Sequence, residues 1–126
     1  MEHVIVVHGN DGLDEISITD DSFISELKDG KIKNYQVSPK DFGLSLATLD
    51  DIYAKSSEDS LRLVEQAFAG EKSPVQDMIA LNSGAALYIS GVVDSIGDGV
   101  DQSVKLMNNG EAQAKLASYV EISNQL

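Results

Sequence analysis

Residues 4–15 read VIVVHGNDGLDE, an apolar run that ends in a loop rich in glycine and carboxylates. Residues 4–7 are all apolar and β-branched, which is typical of a strand buried on both faces in a parallel sheet. Gly9 and Gly12 supply backbone freedom directly after the strand. Ligands of open α/β sheets bind just beyond the carboxyl ends of strands, so this loop is the strongest candidate for a functional site.

Four side chains of the loop can bind a cation or titrate: His8, Asp11, Asp14 and Glu15. The neighbouring carboxylates of Asp14 and Glu15, the acid pair, suit Mg²⁺, because proteins hold this ion with one or two carboxylates while water and substrate phosphates complete its shell. Without a family resemblance, a solvated acidic turn is the favoured interpretation. We expect His8 to be a structural histidine hydrogen-bonded to the loop, since no partners of a catalytic triad can be named for it.

The composition excludes several classes of function. A chain of 126 residues is one domain at most, and its net charge of −12 disfavours nucleic acid and anionic membranes as partners. The absence of cysteine excludes disulfides and thiolate zinc sites, in keeping with a reducing cytoplasm. No signal peptide is expected at Met1, and no apolar run approaches the roughly 20 residues of a membrane span. We therefore expect a cytoplasmic protein.

A β-hairpin and four helices are predicted after the loop. Asp29-Gly30 is typical of a two-residue type I′ turn, and it joins strands at residues 22–28 and 31–37. The helix signals are a Ser57 cap and a Gly70 stop for the first, a Ser73 cap and Pro74 for the second, a Ser95 cap and an end near residues 109–110 for the third, and Leu116, Tyr119 and Val120 within the fourth.

The second helix is apolar nearly all round from residue 78 to residue 93, which predicts a buried helix. We expect Gly84 and Gly91 to permit close backbone contact within it, and we expect the amide of Asn82 to have a hydrogen-bonding partner. A helix that is apolar all round and a strand that is apolar on both faces must be covered by other protein. This chain offers too little protein to cover both. The sequence therefore predicts a part of a larger α/β unit, or a chain that pairs with another.

Known phosphate-binding and calcium-binding motifs are missing. The chain contains neither a P-loop nor a Gly-x-Gly-x-x-Gly fingerprint, and the acids after Asn10 or Asp14 do not fall in the register of an EF-hand. The chain therefore brings no phosphate cradle of its own.

Residues 6–17 (VVHGNDGLDEIS) resemble the signature of the anthranilate phosphoribosyltransferase family. The similarity continues in order through residues 26–30 (ELKDG), 39–44 (PKDFGL) and 81–88 (LNSGAALY). It implies an α/β fold in which residues 1–126 form the C-terminal part of a nucleoside-phosphorylase/phosphoribosyltransferase-type domain. The N-terminal helical domain and the glycine-rich pyrophosphate loop of that family are absent.

The resemblance implies a reaction, a cofactor and partners. The amino group of anthranilate displaces pyrophosphate from phosphoribosyl pyrophosphate with the help of Mg²⁺, and Asp14 and Glu15 are the implied metal ligands. They serve the metal and are not a general acid and base. The complete enzyme is implied to be a homodimer without nucleic-acid or membrane partners.

Two departures from the family pattern concern loop geometry. Residues 53–57 (YAKSS) replace a Gly-Gly-Asp-like stretch, and Ser73 replaces the usual glycine before Pro74. We expect the isolated chain to have no turnover. A non-catalytic binding or assembly module, and a nucleoside phosphorylase or other glycosyltransferase on the same scaffold, are the alternatives.

Overall fold

The computed structural model describes residues 2–126. Met1, at which no signal peptide was expected to begin, lies outside the described residues. The described residues form one antiparallel sheet followed by helices. The strands are β1 (His3–Gly9), β2 (Ser22–Lys28) and β3 (Lys31–Val37), and the helices are α1 (Ser57–Phe68), α2 (Pro74–Ile89), α3 (Ile96–Asn108) and α4 (Glu111–Ser123). Single 3₁₀ turns at Pro39–Phe42 and Leu49–Ile52 connect the sheet to the helices.

The hairpin is confirmed, whereas the prediction that β1 has parallel neighbours and is buried on both faces does not hold within residues 2–126. Asp29 and Gly30 have φ values of 51° and 72°, as a type I′ turn requires. β1 pairs antiparallel with β2 at the edge of the sheet order β1-β2-β3, so it has no parallel neighbour within residues 2–126. Its Val6 side chain is 66% exposed on the face of the sheet that the helices do not cover. The local sequence indicated an apolar strand, and within residues 2–126 only its inner face is covered.

The core lies between the inner face of the sheet and α2. Ile24 and Val37 of the sheet belong to the same buried cluster as Leu81 and Ala85 of α2. Burial of α2 is confirmed for one face only, because Ala86 is exposed and most other positions of the helix are half-buried. None of the helices in residues 2–126 is long and apolar enough to cross a bilayer.

Serine caps begin the first three helices. Ser73 and Ser95 accept hydrogen bonds from the backbone N–H groups of Gln76 and Asp98, as predicted. The cap of α1 is Ser56 rather than Ser57, one residue earlier than expected. A serine cap satisfies a backbone donor that the first helical turn leaves free, so these three helix starts are encoded locally.

The two glycines singled out in the second helix have different roles. The prediction for Gly84 is confirmed: a Cβ atom placed there would lie 2.5 Å from the backbone nitrogen of Val100 in α3. The prediction for Gly91 is wrong, because α2 ends at Ile89 and Gly91 adopts a left-handed φ of 76° with open space around it. Hydrogen bonds from Gly91 N to Tyr88 O and from Val92 N to Leu87 O close the helix in a Schellman-type turn.

A buried carboxylate joins the sheet to α2 at the end remote from the candidate loop. Glu26 is 8% exposed and accepts hydrogen bonds from His3 Nε2 (2.8 Å), Tyr88 Oη (2.7 Å) and Tyr35 Oη (2.9 Å). Burial acts to raise the pKa of Glu26, but the hydrogen bonds from Tyr88, His3 and Tyr35 together hold this pKa below its usual value. The ionised form of Glu26 is therefore the one that stabilises the fold.

We expect the chain to lose stability on acidification through Glu26. A carboxylate with a lowered folded-state pKa contributes stability that is present above its unfolded pKa, about 4.5, and lost as the pH falls through the folded value. Glu26→Gln should cost about 1–3 kcal/mol at pH 7, and the difference from the wild type should shrink below about pH 5. Urea unfolding of both proteins from pH 7 to pH 3 measures this difference. A difference that stays constant with pH would contradict the role of the ionised carboxylate.

Candidate functional site

The loop between β1 and β2 has a buried foundation just after its acid pair. Ile16 and Ile18 are 1% and 0% exposed, and Ser17 between them is also fully buried. Hydrogen bonds from Asn10 N to Asp21 O and from Ser17 N to Ser22 Oγ close the loop onto the start of β2. The acid pair therefore lies on a stretch of backbone that is fixed by its burial and by its hydrogen bonds.

Asp14 and Glu15 both project from this foundation to the surface. They are exposed, and together with Leu13 they line one side of a cavity of about 270 Å³ whose other walls come from α1, α2 and the segment around Ile52 and Ala54. Neither carboxylate has a hydrogen-bonding or ion-pair partner in the part of the chain that the structure describes. The two predicted site residues are thus brought together with their oxygens available to a ligand.

A protein-only metal cage is not formed. No group of three or more His, Cys, Asp or Glu side chains within residues 2–126 is arranged to hold a metal ion. Two free carboxylates can still bind a hard cation if phosphate oxygens and water supply the remaining ligands. The arrangement is therefore suited to a cation whose coordination shell is completed by the oxygens of a phosphorylated ligand.

Asp11 has a different role from the acid pair, although the sequence placed it in the same group. Its Oδ2 atom accepts hydrogen bonds from the hydroxyls of Ser17 and Thr19, and its Oδ1 atom accepts one from Leu13 N (3.0 Å). Burial acts to raise the pKa of Asp11, but the hydrogen bonds from Ser17, Thr19 and Leu13 outweigh it and lower this pKa. Asp11 is therefore an ionised internal brace of the loop.

His8 is not part of the loop's hydrogen-bonding network. Side chains of a strand alternate between faces, so His8 points to the same outer face as Val6 and lines a surface depression with Val6 and Phe23. Within the described residues it makes no hydrogen bond to the loop, so this prediction for His8 is wrong. Nothing on that face connects His8 to the acid pair.

The side chain of Asn82 in α2 forms hydrogen bonds with the loop. The sequence predicted that this amide has a hydrogen-bonding partner, but not that the partner lies in the loop. Its Oδ1 accepts a hydrogen bond from Ile16 N (2.9 Å), and its Nδ2 donates to Ile16 O (2.9 Å) and to Met78 O (3.1 Å). The signal in the sequence was an amide within an apolar helix, which predicts a partner without saying which one. The partner is the residue directly after Glu15.

Gly9 was expected only to end the strand, but it is also packed beneath the loop. A Cβ atom at Gly9 would lie 2.5 Å from Asp11 Oδ1 and 3.3 Å from the Cβ of Ser17. Gly9 is therefore required for the close approach of Asp11, which the sequence did not indicate.

A larger cavity lies elsewhere and has a different character. About 470 Å³ lies between the helices, and its lining includes Phe68, Ile79, Leu87 and Met107. It contains no titratable side chain among its lining residues. The exposed acid pair, rather than this apolar space, is therefore the candidate site for chemistry.

Residues 1–113 match the model of a family described as "Glycosyl transferase family, a/b domain". The chain is 49% identical over 97% of its length to an anthranilate phosphoribosyltransferase of Vesicomyosocius okutanii, and 43% identical over 98% to the protein of that name from Clostridium beijerinckii. It spans 36% of the length of each relative.

Solved structures give the same fold. The crystal structure of anthranilate phosphoribosyltransferase from Thermus thermophilus superposes with a TM-score of 0.84 at 31% identity, over 94% of this chain and 35% of that one. The Saccharomyces cerevisiae enzyme "in complex with PRPP and Mg" superposes with a TM-score of 0.83 at 22% identity, over 97% of this chain and 35% of that one, which supports the fold alone. The predicted fold class and the family resemblance are confirmed.

Proposed function

Since this chain belongs to the glycosyl transferase family with an α/β domain, we propose that it is the metal-binding, C-terminal part of an anthranilate phosphoribosyltransferase. The complete enzyme transfers the phosphoribosyl group of phosphoribosyl pyrophosphate to anthranilate in the cytoplasm, as a step of tryptophan biosynthesis. Asp14 and Glu15 are the ligands of Mg²⁺ in this proposal. The names of the relatives support the reaction, and Mg is named with one of the yeast structures that share the fold.

One observation carries the proposal: two adjacent carboxylates without protein partners lie beside a cavity on a braced loop. An acidic turn whose only role is solubility does not need a buried foundation or an adjacent cavity. Mg²⁺ prefers few protein ligands and retains water and phosphate oxygens in its octahedral shell. The two carboxylates therefore fit this ion, and its remaining ligands would be water and phosphate oxygens.

The reaction breaks the bond between C1 of the ribose and the pyrophosphate oxygen, and the oxygen keeps the electron pair. The amino nitrogen of anthranilate forms the new bond to C1 and then loses a proton. Positive charge develops on the ribose and negative charge on the departing diphosphate, which bound Mg²⁺ stabilises. Asp14 and Glu15 would fix the position of the ion.

The rest of the enzyme is proposed to cover the open side of the sheet. Val6, Phe23 and Ile32 are exposed on the outer face, and β1 has an unpaired edge within residues 2–126. An open edge and an apolar face are typical of surfaces that are completed by further chain. The chain spans 36% of its relatives, and in this proposal the covering strands, the glycine-rich pyrophosphate loop and the homodimer contacts lie in the rest of the complete enzyme.

The two departures from the family pattern do not favour a non-catalytic module. Ser73 caps α2, and Ser56, within the altered stretch at residues 53–57, caps α1 by accepting a hydrogen bond from Asp59 N. Both substitutions therefore place good capping residues at helix starts. They change local turns, and Ala54 of the altered stretch lines the cavity beside the acid pair, but Asp14 and Glu15 themselves follow the family pattern.

A chimeric enzyme tests this proposal. Residues 1–126 replace the matching segment of the Vesicomyosocius okutanii relative, and product formation is assayed with both substrates and Mg²⁺. We expect the isolated chain to form no product and the chimera to be active only in the presence of Mg²⁺. Product formed by the isolated chain would refute the proposed incompleteness, whereas a folded chimera that is inactive or independent of Mg²⁺ would refute the proposed function.

A further inference from the structure

The backbone before the acid pair is held by the end of β1. Gly9 N donates a hydrogen bond to Leu13 O (2.9 Å), which fixes the peptide plane that joins Leu13 to Asp14. Asp11 Oδ1 accepts from Leu13 N (3.0 Å) and so fixes the preceding plane as well. The direction in which the chain enters Asp14 is therefore determined by Gly9 and Asp11.

The backbone after the acid pair is held by α2. The amide of Asn82 binds both the N–H and the C=O of Ile16 and is itself tied to the helix through Met78 O. The N–H of Ile16 belongs to the peptide plane that joins it to Glu15. The two acids are therefore bracketed by hydrogen bonds on both sides, from two different elements of the fold.

We infer that Asn82 and Asp11 are positioning residues, which hold the backbone of Asp14 and Glu15 in the conformation that binds the metal. This inference rests on the proposed function and deepens it. Neither side chain is itself a ligand: Asn82 is occupied by Ile16 and Met78, and Asp11 by Ser17, Thr19 and Leu13.

The energetic reason is preorganisation. A flexible loop must lose backbone entropy when its ligands converge on an ion, at a cost of about 1–2 kcal/mol for each residue that becomes ordered. Asn82 and Asp11 meet this cost during folding, before the ion arrives. Groups that orient metal ligands in this way typically change metal affinity by about 10- to 100-fold when they are removed.

Binding of Mn²⁺ in the presence of inorganic diphosphate tests the inference, with water-proton relaxation as the readout on the 126-residue chain. Asn82→Ala and Asp11→Ala should each weaken binding by about 10- to 100-fold. Asp11→Asn should restore most of the affinity, because its Oδ1 still accepts from Leu13. The matched control is Gln76→Ala, which removes an α2 amide bound to Ala67 O and Asn108 Oδ1, away from the loop, and should leave affinity within about twofold of the wild type.

Amide hydrogen exchange of Ile16 gives a second, metal-independent readout. Asn82→Ala should accelerate this exchange far more than Gln76→Ala does. If the two variants match in exchange or in Mn²⁺ affinity, the inference is overturned while the proposed function stands. If the wild type binds no better than Asp14→Asn/Glu15→Gln, the proposed function itself has failed.

Discussion

Gly99→Ala is expected to destabilise the fold more than any other single methyl addition in α3. A Cβ atom at Gly99 would lie 2.7 Å from Cα of Gly84. In the same way, a Cβ atom at Gly84 would collide with the backbone of Gly99 and Val100. The opposing atoms belong to helix backbones, so they cannot move aside as a flexible side chain would. Overpacking of this kind costs about 3 kcal/mol, a large fraction of the roughly 5–15 kcal/mol that stabilises a typical domain.

Gly97→Ala is the matched control for this prediction. Gly97 lies in the first turn of the same helix, and a Cβ atom there meets only ordinary contacts at 3.8 Å and 3.9 Å. Because alanine favours helix over glycine by about 1 kcal/mol, the control should be neutral or stabilising. The urea-unfolding midpoints of the two variants measure the difference in stability between them. Equal midpoints would mean that α2 and α3 are not in backbone contact in solution.

The second large effect is expected on turnover. Asp14→Asn/Glu15→Gln, introduced in the chimeric enzyme, should lower kcat/KM about 1,000-fold, since loss of an ion that stabilises the leaving group removes several kcal/mol and each 1.36 kcal/mol is tenfold in rate. Both carboxylates are free of protein partners among the described residues, so the fold should be unaffected. Steady-state kinetics at saturating Mg²⁺ together with a thermal melt measure both quantities.

Asp20→Asn/Asp21→Asn is the control for this charge change. It removes two neighbouring carboxylates from the other end of the same loop, where Asp20 Oδ1 accepts from Asp21 N. We expect this variant to retain kcat/KM within about threefold of the parent, as is usual for surface substitutions away from a site. A similar loss in both variants would assign the effect to net charge and not to metal binding.

Local features of the fold were predictable from the sequence because they depend on neighbouring residues. Asp29-Gly30 determined the hairpin turn, and Ser73 with Pro74 determined the start of α2. The antiparallel pairing of β1 with β2 was not predictable, because an apolar run does not specify the direction of the neighbouring strand. Gly91 was placed inside the helix because the sequence around it is apolar. Whether a glycine continues a helix or ends it depends on its φ angle, which the sequence does not show.

The candidate site shows the same division. The position of the acid pair followed from the strand and the glycines before it. The inward direction of Asp11 did not, because it depends on the hydroxyls of Ser17 and Thr19, which the chain brings back only after the buried turn at Ile16. The contact of Asn82 with Ile16 spans 66 positions and needs the packed α2 to exist.

The most direct test of the central claim is the location of Mn²⁺ in crystals of this chain grown with Mn²⁺ and inorganic diphosphate. We expect an anomalous scattering peak bonded to carboxylate oxygens of Asp14 and Glu15, with diphosphate oxygens completing the shell. A peak at other carboxylates, with Asp14 and Glu15 surrounded only by water in the same crystal, would contradict it.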